Sequence, residues 1–155
     1  MIQRIQTLYL LAATAIMVIL CLTPLASYSN ADGIFQLSSM GIVNQDGVEL
    51  VSTGYLLFLM ALTTILPFVS IFLFKRRMLQ LRLCVVDMIL ALGTLIISGV
   101  YFYLGRRQFV EGIDGASATL SVTIGLPVFV ILLNLLAVRA IFKDEVLVKS
   151  LNRIR

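Results

Sequence analysis

Hydrophobic positions along the chain gather into four long stretches, at roughly 7–27, 54–74, 83–104 and 121–142. Each is long enough to cross a bilayer as a helix, for which about 20 apolar residues suffice. Polar positions concentrate between these stretches and after the last one. The pattern predicts an all-α membrane protein: a bundle of four transmembrane helices forming a single membrane domain over 1–155, with a helical tail at 143–155.

The segments between the stretches carry weaker signals. Residues 33–39 and 47–52 show partial two-residue alternation, and Asn44-Gln45-Asp46-Gly47 reads as a turn. A small β-hairpin in the first exterior loop is expected, packed on the bundle because a lone hairpin is marginal in water. Residues 105–120, with Gly112 and Gly115, read as a turn-rich loop leading into the fourth stretch. In the tail, Glu145 and Lys149 stand four apart in the favourable order for a helical ion pair.

Charge orients the predicted bundle. Ten of the twelve basic residues fall on one side: Arg4, Lys75, Arg76, Arg77, Arg82, Arg139, Lys143, Lys149, Arg153 and Arg155. Arg106 and Arg107 are on the other, together with Asp32, Asp46, Glu49, Glu111 and Asp114. The positive-inside rule then places both termini in the cytoplasm, in an inner (cytoplasmic) membrane. Tyr28, Tyr55, Tyr101 and Tyr103 would form the outer aromatic belt. Arg4 at the head of the first stretch could open a signal peptide, but the apolar run is long for one and the reading is an uncleaved span.

Composition agrees and narrows the chemistry. The chain is 60% hydrophobic and 13% charged, against about 25% charged in soluble domains. It has no His and two Cys, which removes imidazole haem ligation, His-containing zinc sites and a Ser-His-Asp triad. Cys21 and Cys84 lie near opposite sides of the predicted bilayer, roughly 18 Å apart in depth by helical rise, too far for a disulfide. No cofactor or metal is implied, and the basic residues hug span ends rather than forming a nucleic-acid-binding arm. Lys75, Arg76, Arg77 and Arg82 are candidates for contact with anionic lipid.

Ionisable residues inside a span are functional-site candidates by default. Asp87 and Arg139 fall at similar depth near the cytoplasmic side, so they are read as a candidate intramembrane pair. Asn134, two turns deeper on the fourth span, is a candidate for interhelical hydrogen bonding. Thr63 and Thr64 precede Pro67, where they could satisfy carbonyls freed by a kink. Gly93, Ser98 and Gly99 would give the third span a small face for close approach.

The beginning Met1-Ile2-Gln3-Arg4-Ile5-Gln6-Thr7, the centre Gln80-Leu81-Arg82-Leu83-Cys84 and the end from Arg139 through Lys143-Asp144-Glu145 to Asn152-Arg153-Ile154-Arg155 carry a resemblance. They resemble a family of small four-span membrane proteins of Bacteroidota, catalogued as a domain of unknown function. That family usually has an acidic residue where this chain has Asn152. The resemblance implies a bacterial inner-membrane protein of four helices and implies no activity.

Three function classes follow. The first is a non-enzymatic scaffold or accessory subunit that meets a protein partner through its basic cytoplasmic face and tail (Lys143, Asp144, Glu145, Lys149, Arg153 and Arg155). The second is a small transporter or ion-permeation protein using Asp87 and Asn134. The third is an intramembrane enzyme acting on a lipid, for which no nucleophile–base pair can be identified. Membrane lipids are the expected surroundings, and oligomeric state is not encoded legibly.

Overall fold

The computed structural model describes the chain except residues 1, 32, 45–46, 74–75, 114 and 153–155, and except the side chains of 2–4 and 147–152. Its helices are α1 (Ile2–Leu22), α2 (Gly54–Phe72), α3 (Arg77–Phe109) and α4 (Leu126–Asn152), with a 3-10 turn at Val122–Gly125 before α4. All four are long and apolar enough to cross a membrane. They pack in a ring, each on its chain neighbours, with α4 closing on α1.

An all-helical bundle is not what forms. A five-stranded antiparallel sheet covers one end: β1 (Ala26–Asn30), β2 (Gly33–Leu37), β3 (Gly41–Asn44), β4 (Glu49–Ser52) and β5 (Ser117–Leu120), in the order β4-β3-β2-β1-β5. The expected hairpin is therefore part of a larger structure, and its two predicted arms, β2 and β4, are separated by β3. Of the expected turn, Gln45 and Asp46 lie outside the described residues; on either side of them the Gly47 amide donates to the Asn44 carbonyl at 3.0 Å, with Gly47 at φ +77°.

Two corrections to the helix limits explain the sheet. α1 ends at Leu22 rather than at 27, because Pro24 has no amide hydrogen and disfavours helix in the residue before it. Apolar Leu25 and Ala26 then belong to the sheet end, not to a span. The segment read as a loop at 105–120 splits: α3 runs on to Phe109, and 117–120 become β5, paired antiparallel with β1. The Thr119 hydroxyl donates to the Ser27 carbonyl across 92 residues of chain. Pro127 lies in the first turn of α4, where its missing N–H disturbs no helical bond.

Alternation gives the sheet two unlike faces. Ala26, Tyr28, Phe35, Leu37 and Ile42 are buried on one; Ser29 and Gln36 are exposed on the other. The apolar face meets the end of α3. With 33 residues, α3 spans about 50 Å, well beyond the roughly 30 Å of a bilayer core. Its surplus turns present Phe102, Gly105 and Phe109 to the sheet. Tyr28 stacks between Phe102 and Phe109, both with ring centroids at 6.0 Å, and Phe35 lies 4.8 Å from Phe109. The Tyr28 hydroxyl donates to the Phe102 carbonyl at 3.2 Å. Tyr28 is thus a core residue with no exposure, not part of an interfacial belt; Tyr55 and Tyr103 are the exposed tyrosines.

Gly105 makes this contact. A Cβ there would lie 2.5 Å from the Tyr28 hydroxyl oxygen and 2.6 Å from its Cζ. Gly105→Ala is expected to cost about 1–3 kcal/mol in thermal or denaturant unfolding, the range for overpacking. Tyr28→Ala in the same chain should absorb most of that added cost, because the two sites share one contact. Burial also pushes the Tyr28 phenol from about 10 up to about 12. Its contribution to stability is therefore complete below pH 10 and is lost as pH rises from 10 through 12. A Tyr28→Phe variant should melt without that component, and an unchanged alkaline profile would contradict the assignment.

Candidate functional site

Inside the ring of helices, buried positions recur every 3.5 residues. On α3 they are Gln80, Cys84, Asp87, Ala91, Thr94 and Ser98; on α2, Leu56, Met60, Thr63, Pro67 and Ser70. On α1 they are Gln6, Leu10, Ala13, Met17 and Leu20, and on α4 Val130, Asn134, Ala137 and Ile141. Alternating steps of four and three hold one stripe of each helix against its neighbours, the repeat of left-handed bundles. The stripe is rich in small and polar residues. The outward faces carry large apolar side chains such as Leu8, Phe58, Ile89 and Phe129.

Asp87 and Asn134 meet in this seam. Both are fully buried, and Asn134 Nδ2 donates to Asp87 Oδ2 at 2.7 Å. They separate two apolar clusters. Leu10, Cys84, Ala137 and Ile141 lie toward the end bearing the termini. Ala13, Met17, Met60, Ala91 and Val130 lie toward the sheet. Three other buried hydroxyls turn back on their own helices, Thr94 to the Leu90 carbonyl, Ser98 to Leu95 and Thr63 to Leu59 and Met60, while the buried Ser70 hydroxyl has no partner among the described residues. Thr64 also bonds Met60, so both threonines serve carbonyls one turn above the one that Pro67 leaves free.

The partner of Asp87 is therefore Asn134 and not Arg139, which is exposed. The reason is helical phase. Arg139 stands two residues past the inward Ala137, about 200° around α4, so depth alone does not bring it to Asp87. Gly93 and Gly99 are not contact points either, since a Cβ at either would meet nothing within 4 Å; Ser98 is the member of that trio that faces inward.

At the end bearing the termini, Arg77 lies 3.1 Å from Asp144 Oδ2, and its Nη1 also donates to the Asp144 carbonyl at 3.4 Å. A residue read as a lipid contact and one read as part of a partner-binding tail thus bind each other, tying α3 to α4. Arg76, Arg82 and Lys143 are exposed; Glu145 is half-buried and already engaged. Lys75, Arg153 and Arg155 lie outside the described residues, as does the side chain of Lys149.

At the sheet end, a cleft of about 320 Å³ opens between β3–β4 and α3, lined by Ile42, Val51, Tyr101, Leu104, Arg107 and Gln108. Arg106 and Arg107 fall in the last turn of α3, where a cation also suits the helix dipole. Among the described residues, no three His, Cys, Asp or Glu side chains converge as a metal site would require. The seam itself escaped the sequence reading. Its signal was the recurrence of small and polar residues at Gln80, Cys84, Asp87, Ala91, Thr94 and Ser98, which apolar flanks obscure.

Asn134→Leu strands a buried carboxyl and is expected to lower stability in detergent by about 1–3 kcal/mol. Arg139→Gln, on the exposed face, should stay within about 0.5 kcal/mol of the parent. Equal losses in the two variants would show that Arg139 supports Asp87 after all.

No curated protein matches the chain. A family model does match, over residues 2–154, and its description is a domain of unknown function. With nearly the whole chain matched, helices, sheet and seam together, the chain belongs to that family, DUF4293.

Proposed function

We propose that the protein is a non-enzymatic, multi-pass component of a bacterial inner membrane that acts by assembly, as a scaffold or accessory subunit. In this reading both termini are cytoplasmic, the sheet lies on the outer side, and partners bind the basic end. The observation that carries it is the division of polar groups. Within the helices, Asp87 and Asn134 are bonded to each other and sealed from solvent, and Thr63, Thr94 and Ser98 are bonded to their own backbone. Those at the end bearing the termini, Arg76, Arg82 and Lys143, stand exposed beside the Arg77–Asp144 pair. A solute path through the seam would need Asp87 or Asn134 to be reachable, and neither is.

The basic end also suits anionic lipid, at about 1 kcal/mol per Lys or Arg near the surface. Lipid attraction and partner binding are compatible, because Arg77 and Asp144 neutralise each other and leave the neighbouring cations available.

Two measurements test the proposal. With Cys21 and Cys84 replaced by Ala, a Cys at Lys143 should be shielded from a membrane-impermeant maleimide in intact cells, and a Cys at Gln36 should be labelled. The reverse pattern sinks the orientation. After cross-linking and purification in mild detergent, a stoichiometric partner should accompany the parent chain. That partner should be lost on reversing Arg76, Arg82 and Lys143 to Glu, and retained on changing Gln36 or Thr119 to Ala. A chain that purifies alone, or a partner indifferent to the charge reversals, sinks the assembly role.

A further inference from the structure

The single hydrogen bond between Asn134 and Asp87 leaves the pair incomplete. Asp87 Oδ1 and Asn134 Oδ1 are both buried, and neither has a hydrogen-bond partner. Both are acceptors, so neither can satisfy the other as written. A carboxylic acid and a primary amide, however, form a closed two-bond pair. The amide N–H donates to one carboxyl oxygen while the acid O–H donates to the amide oxygen. One bond of that pair is already in place at 2.7 Å, and the two orphaned atoms are those the second bond would join. The difference between the two states is one proton.

We propose that Asp87 and Asn134 form a proton-binding site, with the proton carried on Asp87 Oδ1 and donated to Asn134 Oδ1. Reversing the amide exchanges the roles of the two carboxyl oxygens and leaves the need for one proton unchanged. With the proton in place, both side chains are satisfied across the α3–α4 contact and no charge is buried. When the proton leaves, a carboxylate and a carbonyl oxygen are left facing each other where a buried polar atom is costly to leave unpaired. The site therefore couples proton occupancy to the closeness of α3 and α4.

Among the described residues, the surroundings offer no competing charge. The inward positions on α1 are Gln6, Leu10, Ala13, Met17 and Leu20, and those on α2 are Leu56, Met60, Thr63, Pro67 and Ser70. On α4 they are Val130, Asn134, Ala137 and Ile141. None of these titrates. On α3 itself, Cys84 one turn away is the titratable neighbour, and Arg82 points outward. A cation bound between the two oxygens is the rival arrangement, and it would draw an ionised Asp87.

Infrared spectroscopy on the full chain in lipid at neutral pH separates the two. The proposal expects a protonated-carboxyl carbonyl band, above the amide I region, that is lost completely in Asp87→Asn. The variant keeps two bonds as an amide–amide pair and should retain the parent's melting temperature. With Asp32, Asp46, Asp114 and Asp144 changed to Asn, labelling with aspartate carrying carbon-13 in the carboxyl should shift the same band, which assigns it to Asp87 even if Asp87→Asn fails to fold. Absence of the band in the parent overturns the proposal. So does a rise in melting temperature with sodium or potassium that Asp87→Asn abolishes.

Discussion

Helices this apolar on their outer faces leave one place for polar side chains, the seam where they touch, and the rest of the architecture follows from that constraint. A polar group there must find its partner on a neighbouring helix or on its own backbone. Thr63, Thr94 and Ser98 take the second course and bond carbonyls three or four residues back. Asp87 is too demanding for that, and its answer is Asn134 on the adjacent helix. The hydrogen bond joins α3 to α4 and lies between the two apolar clusters of the interior.

The 3.5-residue repeat ties this local pairing to the whole bundle. Because each stripe advances by four and three, a residue at the level of Asp87 on one helix has counterparts at the same level on the others. Small residues such as Ala13, Ala91 and Ala137 let the backbones come close, while Met17, Met60 and Val130 fill the wider layer next to the sheet. Packing between helices with apolar exteriors depends on such close contact and on a few hydrogen bonds, since outward leucines and phenylalanines distinguish no neighbour from another.

At the sheet end a different rule operates. α3 outruns its neighbours, and its surplus turns would expose Phe102 and Phe109 if nothing covered them. The sheet does so with Tyr28, Phe35 and Ile42, and Gly105 supplies the space for the Tyr28 ring. The two connecting segments at this end are joined into one body because β5, after α3, pairs with β1, before α2. The other end is closed more lightly, by the Arg77–Asp144 pair, a contact of a kind worth about 0–1 kcal/mol when partly exposed.

Much of this was present in the sequence. The four apolar runs are local and large in signal, so the helices could be counted. The lopsided charge was equally plain, because it needs no fold to be read. The tertiary structure alone decided three things. Helical phase chose Asn134 over Arg139 for Asp87, although both lie near its depth, because only Asn134 shares the inward stripe. The apolar surroundings hid that stripe: when both faces of a helix are hydrophobic, hydropathy has no contrast to show which one is buried. The sheet was invisible for another reason. Its closing strand pairs across 92 residues, and a four-residue segment such as Ser117–Leu120 carries too little local preference to declare itself a strand until β1 is beside it.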